Sequence, residues 1–289
     1  MDCGNSARLA SQFSRLTTLA TGIIVWFFIV LAMVQAASAG ERPQAPAASE
    51  VLAKSRTYQL QFRTGDLTVL DPWVAMLDQA TQADPENADL WYWLGYATLA
   101  QAAKALQTGS LEDATAAMQQ GPAALRQALK LNPQHAEALS QLGGIQTLLG
   151  PVLQLPAMAP RGVAQMDKAV ELAPNSMRVR LMRAFAGPNV PAELRNTAHE
   201  AEDLDFLIKE SEWGTAGDYV RIMRGDLFWE TGSQEKARAL YLEVDGTGSG
   251  ASADARARLA ALAKGEIPME QIKALRAAAG AQCAMCHAR

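Results

Sequence analysis

The amino-acid sequence predicts an all-α fold in which a helical unit recurs along the middle of the chain. Three segments, 78–85, 126–133 and 167–174, align without gaps, and each ends at a proline that stops a helix. No stretch of β-branched residues shows the two-residue period of a strand. With 49% hydrophobic and 19% charged residues, the chain has a globular composition, which excludes collagen-like, mucin-like and low-complexity classes.

Charge and motif content exclude two further classes of function. The chain holds 26 Lys and Arg residues against 30 Asp and Glu residues, a formal net charge of −4. No basic excess is present to neutralise nucleic-acid phosphates, so we expect no nucleic-acid partner. We also expect no enzymatic activity, because the sequence contains no nucleophile elbow, no HExxH motif and no phosphate-binding glycine loop.

The N-terminal segment 1–39 has the organisation of a signal peptide. Arg8 and Arg15 precede an uncharged apolar run at 16–34, and the triplet Ala-Ser-Ala follows it. This order is typical of a secretory signal peptide, so we expect cleavage before Gly40 and export to the periplasm. An uncleaved membrane anchor facing the periplasm is the alternative, since the run approaches the roughly 20 residues that cross a bilayer.

The rest of the chain divides by composition. Residues 40–50 are rich in Pro and Ala and are predicted to form a flexible lead-in. Residues 51–244 contain the helical repeats. Residues 245–264 begin with a Gly- and Ser-rich run, which predicts a flexible break, and continue into a helix that we expect to cap the repeats. Residues 265–289 form a C-terminal tail.

The repeats place small residues at recurring points. Leu94-Gly95 and Leu142-Gly143 follow two of the helix-ending prolines at equivalent distances. A small residue there lets a partner helix approach closely, while the large apolar residues beside it fill the interface. A later repeat also combines small residues with large apolar ones at these recurring points, which are Gly225, Gly232, Ala237, Tyr241 and Val244.

This pattern resembles the tetratricopeptide repeat (TPR) family over roughly residues 77–244. The resemblance implies antiparallel helix pairs stacked into a right-handed superhelix, with a concave groove that binds peptide segments or protein partners. The intervals between the repeats exceed the family's usual period of about 34 residues. We therefore expect insertions near 108–110 and within 150–162.

Four arginines are candidate partner-binding residues. Arg180 and Arg183 lie three positions apart in one predicted helix, and Arg221 and Arg224 do so in a later one. Each pair therefore shares a helical face, from which guanidinium groups can bind a partner's carboxylates by bidentate hydrogen bonds. The alternative is pairing within the chain, for which the acidic neighbours are Glu200, Glu202, Asp203 and Asp205.

The C-terminal tail carries a motif for covalent haem attachment. Cys283, Cys286 and His287 form the C-x-x-C-H pattern of c-type haem sites. Two thiols at this spacing add to the vinyl groups of one porphyrin, and the adjacent imidazole faces the iron as proximal ligand. We therefore predict one covalent haem c, with His287 on the iron.

Other interpretations of the motif remain open. A zinc site lacks a fourth local ligand, a redox dithiol normally occurs in a βαβ setting, and a vestigial motif is the third alternative. The motif resembles that of c-type cytochromes, but only two residues follow it, so no cytochrome domain is present. The sixth iron ligand is then water, an upstream side chain such as Met269, or a group from another subunit. His135 and His199 are isolated in the sequence, and we expect His135 to be a turn residue.

Three functions follow from these features. The first is an exported TPR scaffold that carries one haem c and associates with a redox or electron-transfer complex, with a cytochrome or redox enzyme as its protein partner. The second is a monohaem electron carrier. The third is a cytochrome c maturation factor that binds apo-partners. A plain TPR scaffold without haem is a further alternative. We favour the first, because the repeat region is far larger than a haem platform requires.

Overall fold

The computed structural model describes residues 47–63, 66–210 and 215–264. Within these ranges the chain is helical, with two short 3-10 turns and no strand, which confirms the all-α fold class. The helices are α1 (Ala48–Arg63), α2 (Leu70–Ala83), α3 (Ala88–Thr108), α4 (Leu111–Leu131), α5 (Ala136–Val152), α6 (Met158–Leu172), α7 (Met177–Ala186), α8 (Thr197–Lys209), α9 (Thr215–Glu230), α10 (Gln234–Gly246) and α11 (Ser252–Ala263).

The recurrent prolines mark the turns between helix pairs. The residue two positions after each proline is the N-cap of the next helix. Its side chain accepts a hydrogen bond from a backbone N–H that has no partner within the helix. Asn87 accepts a hydrogen bond from the Leu90 N–H, and Ser176 does the same for the N–H of Val179. At the equivalent position before α5, the acceptor is the Nδ1 atom of His135.

Glycine contacts show that the helices of a pair are antiparallel. Gly95 on α3 lies against Leu125 and Gly121 on α4. On α5, Gly143 lies against Gly162 of α6, and Gly150, two turns further on, lies against Ala159, three residues before Gly162. The facing positions move in opposite directions along the two chains, as antiparallel packing requires. The small residues therefore have the packing role that the sequence predicted for them.

The longer repeat intervals are accommodated in two ways. Both α3 and α4 have 21 residues, and Gly109, with φ 80°, makes the sharp turn between them. Between α5 and α6 the chain forms a turn at residues 153–157. The segment 187–196 between α7 and α8 is a long connection that the sequence did not predict, because no repeat register could be assigned there.

The hydrophobic core begins with an aromatic cluster in the first three helices. Trp73 is fully buried, and its ring lies 5.8 Å from that of Trp93, 5.9 Å from Tyr96 and 6.2 Å from Tyr58. Aromatic rings bury a large apolar area each, so this cluster contributes strongly to the core here. The core continues through Leu125 and Leu142 towards the next pair.

The ends of the helical region differ from two expectations. Helix α1 begins at Ala48, so the last residues of the predicted lead-in are helical. The run at 245–252, expected to be a flexible break, is a packed turn in which Ser252 is buried and its hydroxyl donates to the Val244 carbonyl at 3.0 Å. Helix α11 follows it at the position of the predicted cap.

Two regions of the sequence with predicted functions lie outside the described residues. They are the predicted signal peptide with its apolar run at 16–34 and the tail with Cys283, Cys286 and His287. Across the described helices, none combines the length and apolarity needed to cross a bilayer.

Candidate partner-binding surfaces

The first pair of candidate arginines is engaged inside the chain. Arg183 on α7 forms a bidentate pair with Asp203 on α8, at 2.7 and 2.9 Å, and Arg180 donates to the same carboxylate at 2.7 Å. Arg183 also donates to Asp167 at 2.9 Å. Burial alone lowers the pKa of the Arg183 guanidinium, but the hydrogen bonds to these two carboxylates outweigh it and raise the pKa above its ordinary value.

The second pair of arginines is also engaged. Arg224 on α9 forms two hydrogen bonds with Asp205 on α8, at 2.7 and 3.0 Å, and its guanidinium stacks 3.9 Å from the Phe228 ring centroid. Arg221 lies 2.9 Å from Glu243 on α10. Both arginines join their helix to a neighbouring one.

All four arginines are therefore paired with carboxylates of the same chain, which is the alternative given above. Asp203 is fully buried between Arg180 and Arg183, so each guanidinium compensates a charge that has no access to water. Partner binding through these arginines stays a prediction. It would require a partner's carboxylate to replace one that the chain already supplies.

A groove lies between α2 and α4, with α3 as its floor. Its volume is about 740 Å³, and its floor is formed by the partly buried side chains of Trp91 and Leu94 with the buried Thr98. The Trp91 indole N–H donates to the Pro85 carbonyl at 2.8 Å, which fixes the ring. The remaining lining residues are Asp71, Val74, Ala75 and Asp78 from α2 and Gln120, Ala123, Ala124 and Gln127 from α4.

The two walls of the groove differ in charge. On the α2 wall, Asp71 and Asp78 present carboxylates, and the α4 wall presents the amides of Gln120 and Gln127. The Gln101 side chain donates to Asp71 at 2.9 Å, and together with Lys104 it holds the pKa of this carboxyl below its ordinary value. An apolar floor between an acidic wall and an amide wall suits an extended peptide with apolar and basic side chains.

His135 is confirmed as a residue of the turn before α5. Its ring lies 4.9 Å from that of Tyr92, and its Nδ1 accepts the Ala138 N–H at 3.4 Å. The Nε2 atom of the same ring lies 3.1 Å from a carboxylate oxygen of Asp89. In the described parts of the chain, no three His, Cys, Asp or Glu side chains are placed to hold a metal ion.

The groove and the buried pair of Asp226 with Arg258 could not be found from the sequence. The groove brings together residues of three helices, and of these only Leu94 was singled out, as a position of the repeat pattern. The pair between Asp226 and Arg258 joins α9 to α11 at 2.7 and 3.0 Å with both side chains buried. A buried arginine gives no periodic pattern that distinguishes it from a surface arginine.

Comparisons with known proteins return low similarity. No protein-family model and no curated protein matches the chain. A thermophilic TPR protein from Thermus thermophilus is 15% identical over 74% of this chain and 98% of that one, with a TM-score of 0.49. MamA from AMB-1 is 16% identical over 68% and 94%, with a TM-score of 0.42. A tetratricopeptide repeat protein from Parabacteroides merdae is 16% identical over 79% and 98%, with a TM-score of 0.27. The helix pairing described above rests on the contacts of this chain alone.

Proposed function

We propose that this protein is an exported, periplasmic scaffold whose helix pairs bind a protein partner and whose C-terminal tail holds one haem c, in association with a redox or electron-transfer complex. The observation that carries the proposal is the C-x-x-C-H motif, which uses the only two cysteines outside the predicted signal peptide. The apolar run at 16–34 supports export to the compartment in which such haems are attached.

The groove between α2 and α4 supports the scaffold part of the proposal. Asp78 lies exposed on its wall, and its only side-chain neighbour among the described hydrogen bonds is the Gln82 amide at 2.9 Å. It can therefore bind a basic side chain of a partner without losing a buried contact. Leu94 and Val74 offer apolar surface at the same place.

The tail supports the haem part of the proposal through the chemistry of its donor set. The thiols of Cys283 and Cys286 would hold the porphyrin by thioether bonds, and the His287 imidazole would bind the iron. A haem bound in this way supplies one-electron transfer.

The test of the haem is the absorption spectrum and intact mass of the full chain made in a host that matures c-type cytochromes. We expect a Soret band and a mass increment of one haem, both absent from the Cys283→Ala/Cys286→Ala variant. A colourless product with two free thiols, in a host shown to mature another c-type cytochrome, would move the function to a plain scaffold or a maturation factor. N-terminal sequencing of the exported protein tests processing, with Gly40 as the expected first residue.

The groove is tested separately with two synthetic peptides, one of alternating Leu and Lys and one of alternating Leu and Glu. We expect the Lys peptide to bind more tightly, and Asp78→Asn to weaken it. The matched control is Glu171→Gln, which removes an exposed carboxylate on α6 outside the groove lining. Equal binding of the two peptides, or an equal effect of both variants, would remove this groove as the partner site.

A further inference from the structure

The helices that follow the three recurrent prolines have N-caps of different chemistry. Asn87, His135 and Ser176 each lie two residues after a proline, and the side chain of each accepts the backbone N–H three residues further on. The three hydrogen bonds are similar in length, at 3.3, 3.4 and 3.5 Å. Asparagine and serine are among the preferred N-cap residues, and histidine is not. Of these three caps, the imidazole is the one whose charge ordinarily changes between pH 5 and 8.

The cap of α5 requires an uncharged imidazole. The Nδ1 atom of His135 accepts the Ala138 N–H through its lone pair, and it can do so only while it carries no proton. The charged ring has a proton on both nitrogens, so it has no acceptor to offer. The partial positive charge at the start of a helix also opposes a cation there. Protonation of His135 therefore removes this cap.

Two carboxylates are placed to stabilise the charged ring. The Asp89 carboxylate on α3 lies 3.1 Å from the Nε2 atom of His135, and the Glu137 carboxylate on α5 lies 3.6 Å from its Nδ1 atom. Although Nε2 lies so close to Asp89, it is buried and has no hydrogen bond of acceptable geometry. The contact with Asp89 is therefore close but poorly directed, and a positive charge on the ring would strengthen it.

The ring is enclosed at the junction of two helix pairs. His135 is 7% exposed, and its ring centroid lies 4.9 Å from that of Tyr92, which is also buried. Tyr92 and Asp89 belong to α3, whereas His135 caps α5, so the imidazole contacts both pairs. Burial opposes the charged ring, and the carboxylates of Asp89 and Glu137 favour it. The two charge states of the ring are thus supported by different neighbours.

Cations of the neighbouring helices are not bonded to the ring. Among the described residues, no Lys or Arg side chain donates a hydrogen bond to His135. Arg178 at the start of α7 donates to Gln59 at 3.1 Å instead, and Lys130 at the end of α4 is exposed to solvent. The phenol of Tyr92 is of a type that ordinarily carries no charge between pH 5 and 8. The charged groups in contact with the ring are therefore the two carboxylates.

We propose that His135 is a protonation switch at the junction between the α3–α4 pair and the α5–α6 pair. In the neutral state the ring caps α5 through the Ala138 N–H. In the charged state it releases that N–H and pairs with Asp89 and Glu137, so the bond within α5 is exchanged for a stronger contact with α3. The proposal depends neither on the haem nor on the groove between α2 and α4.

The test is an NMR titration of the full chain between pH 8 and 5, a range in which carboxylates ordinarily stay ionised. Nitrogen spectra of the imidazole report protonation of His135, and the Ala138 amide signal reports the cap. We expect the two to change together, because the charged ring leaves the Ala138 N–H without its acceptor. The amides of Leu90 and Val179, capped by side chains that do not titrate, should stay constant. A constant Ala138 signal, or a ring whose charge does not change in this range, would overturn the proposal.

Variants assign the response to this ring. His135→Asn should abolish the pH response of the Ala138 amide, since asparagine keeps an acceptor at the N-cap and does not titrate. Asp89→Asn should move the response to lower pH by up to about 0.7 pH units, the effect of one exposed ion pair, because it removes a charge that favours the protonated ring. The control His199→Ala, which removes a half-exposed imidazole on α8, should leave the response unchanged. A response that persists in His135→Asn would come from another group and would overturn the proposal.

Discussion

Gly143 on α5 and Gly162 on α6 contact each other backbone to backbone: a β-carbon added to Gly143 would lie 2.6 Å from the Gly162 carbonyl oxygen. One added to Gly162 would collide with the carbonyl oxygen of Gly143 and the hydroxyl of Thr147. Backbone atoms cannot rotate away as a side chain can, so any larger residue would push the two helices apart. The close approach of this pair therefore depends on two glycines.

Gly143→Leu and Gly162→Ala should each lower the free energy of unfolding, by about 1–3 kcal/mol for the overpacked contact. Urea denaturation followed by circular dichroism measures the change. The matched control is Gly246→Ala at the end of α10, where a β-carbon would meet nothing within 4 Å. Because alanine favours a helix more than glycine does, this control should be neutral or slightly stabilising. A similar loss in all three variants would contradict the proposed packing role.

Asp226→Ala should be among the most destabilising substitutions in the helical region. The Asp226 carboxylate receives two hydrogen bonds from Arg258 and one from the Tyr241 hydroxyl at 2.6 Å, and all three side chains are buried. Removing the carboxylate leaves the Arg258 charge uncompensated, which costs about 3–5 kcal/mol. Thermal or urea unfolding measures the loss.

The control for this substitution is a solvent-exposed ion pair in the same region. Arg256 lies 3.6 Å from Asp245, with 64% of its side chain exposed. Exposed pairs contribute about 0–1 kcal/mol, so Arg256→Ala should change stability little. Comparable losses from Asp226→Ala and Arg256→Ala would show that burial of the first pair has no energetic consequence.

The prolines predicted where helices end and begin, because they act on their immediate neighbours in the chain. The prolines at 85, 133 and 174 end one helix and position the cap of the next, so their spacing alone located three turns. The connection at 187–196 was missed because it contains no such repeat. The packing of 245–252 was also missed, since its glycines and serines predict flexibility and only tertiary contacts, such as that of Ser252 with Val244, override them.

The candidate site was less predictable than the fold. Charge and spacing identified Arg180 and Arg183, but whether an arginine faces a partner or an internal carboxylate depends on where α8 packs. The acidic sequence neighbours of these arginines were the better indication. The groove could not be located from sequence, because Asp71 and Gln127 become neighbours only when α2 and α4 flank α3.

Gln101→Ala should raise the pKa of Asp71 towards its ordinary value of 3.8. The Gln101 amide donates to the ionised carboxylate and so favours the charged form. Because the pKa of Asp71 is lowered in the folded state, its contact with Gln101 stabilises the fold at pH values above the ordinary pKa. This stabilisation is lost as the pH falls through the lowered pKa. An NMR titration of the Asp71 carboxyl measures the shift. Gln82→Ala is the control, because Gln82 donates to Asp78 instead, and an equal shift of Asp71 in both variants would contradict this assignment.

His287→Ala should remove or severely perturb the predicted haem while leaving the helical region folded. The imidazole is the predicted proximal ligand, so its loss should shift or abolish the Soret band of the purified chain. Helix α11 is secured to α9 through the buried Arg258 and packs through the fully buried Ala255, so the helical region has its own contacts up to residue 264. Far-UV circular dichroism and the unfolding midpoint should therefore match those of the parent. His199→Ala is the matched control: this half-exposed imidazole lies 3.3 Å from Asp167 on α6, and its loss should leave the spectrum unchanged. An unchanged spectrum for His287→Ala would show that His287 is not the proximal ligand.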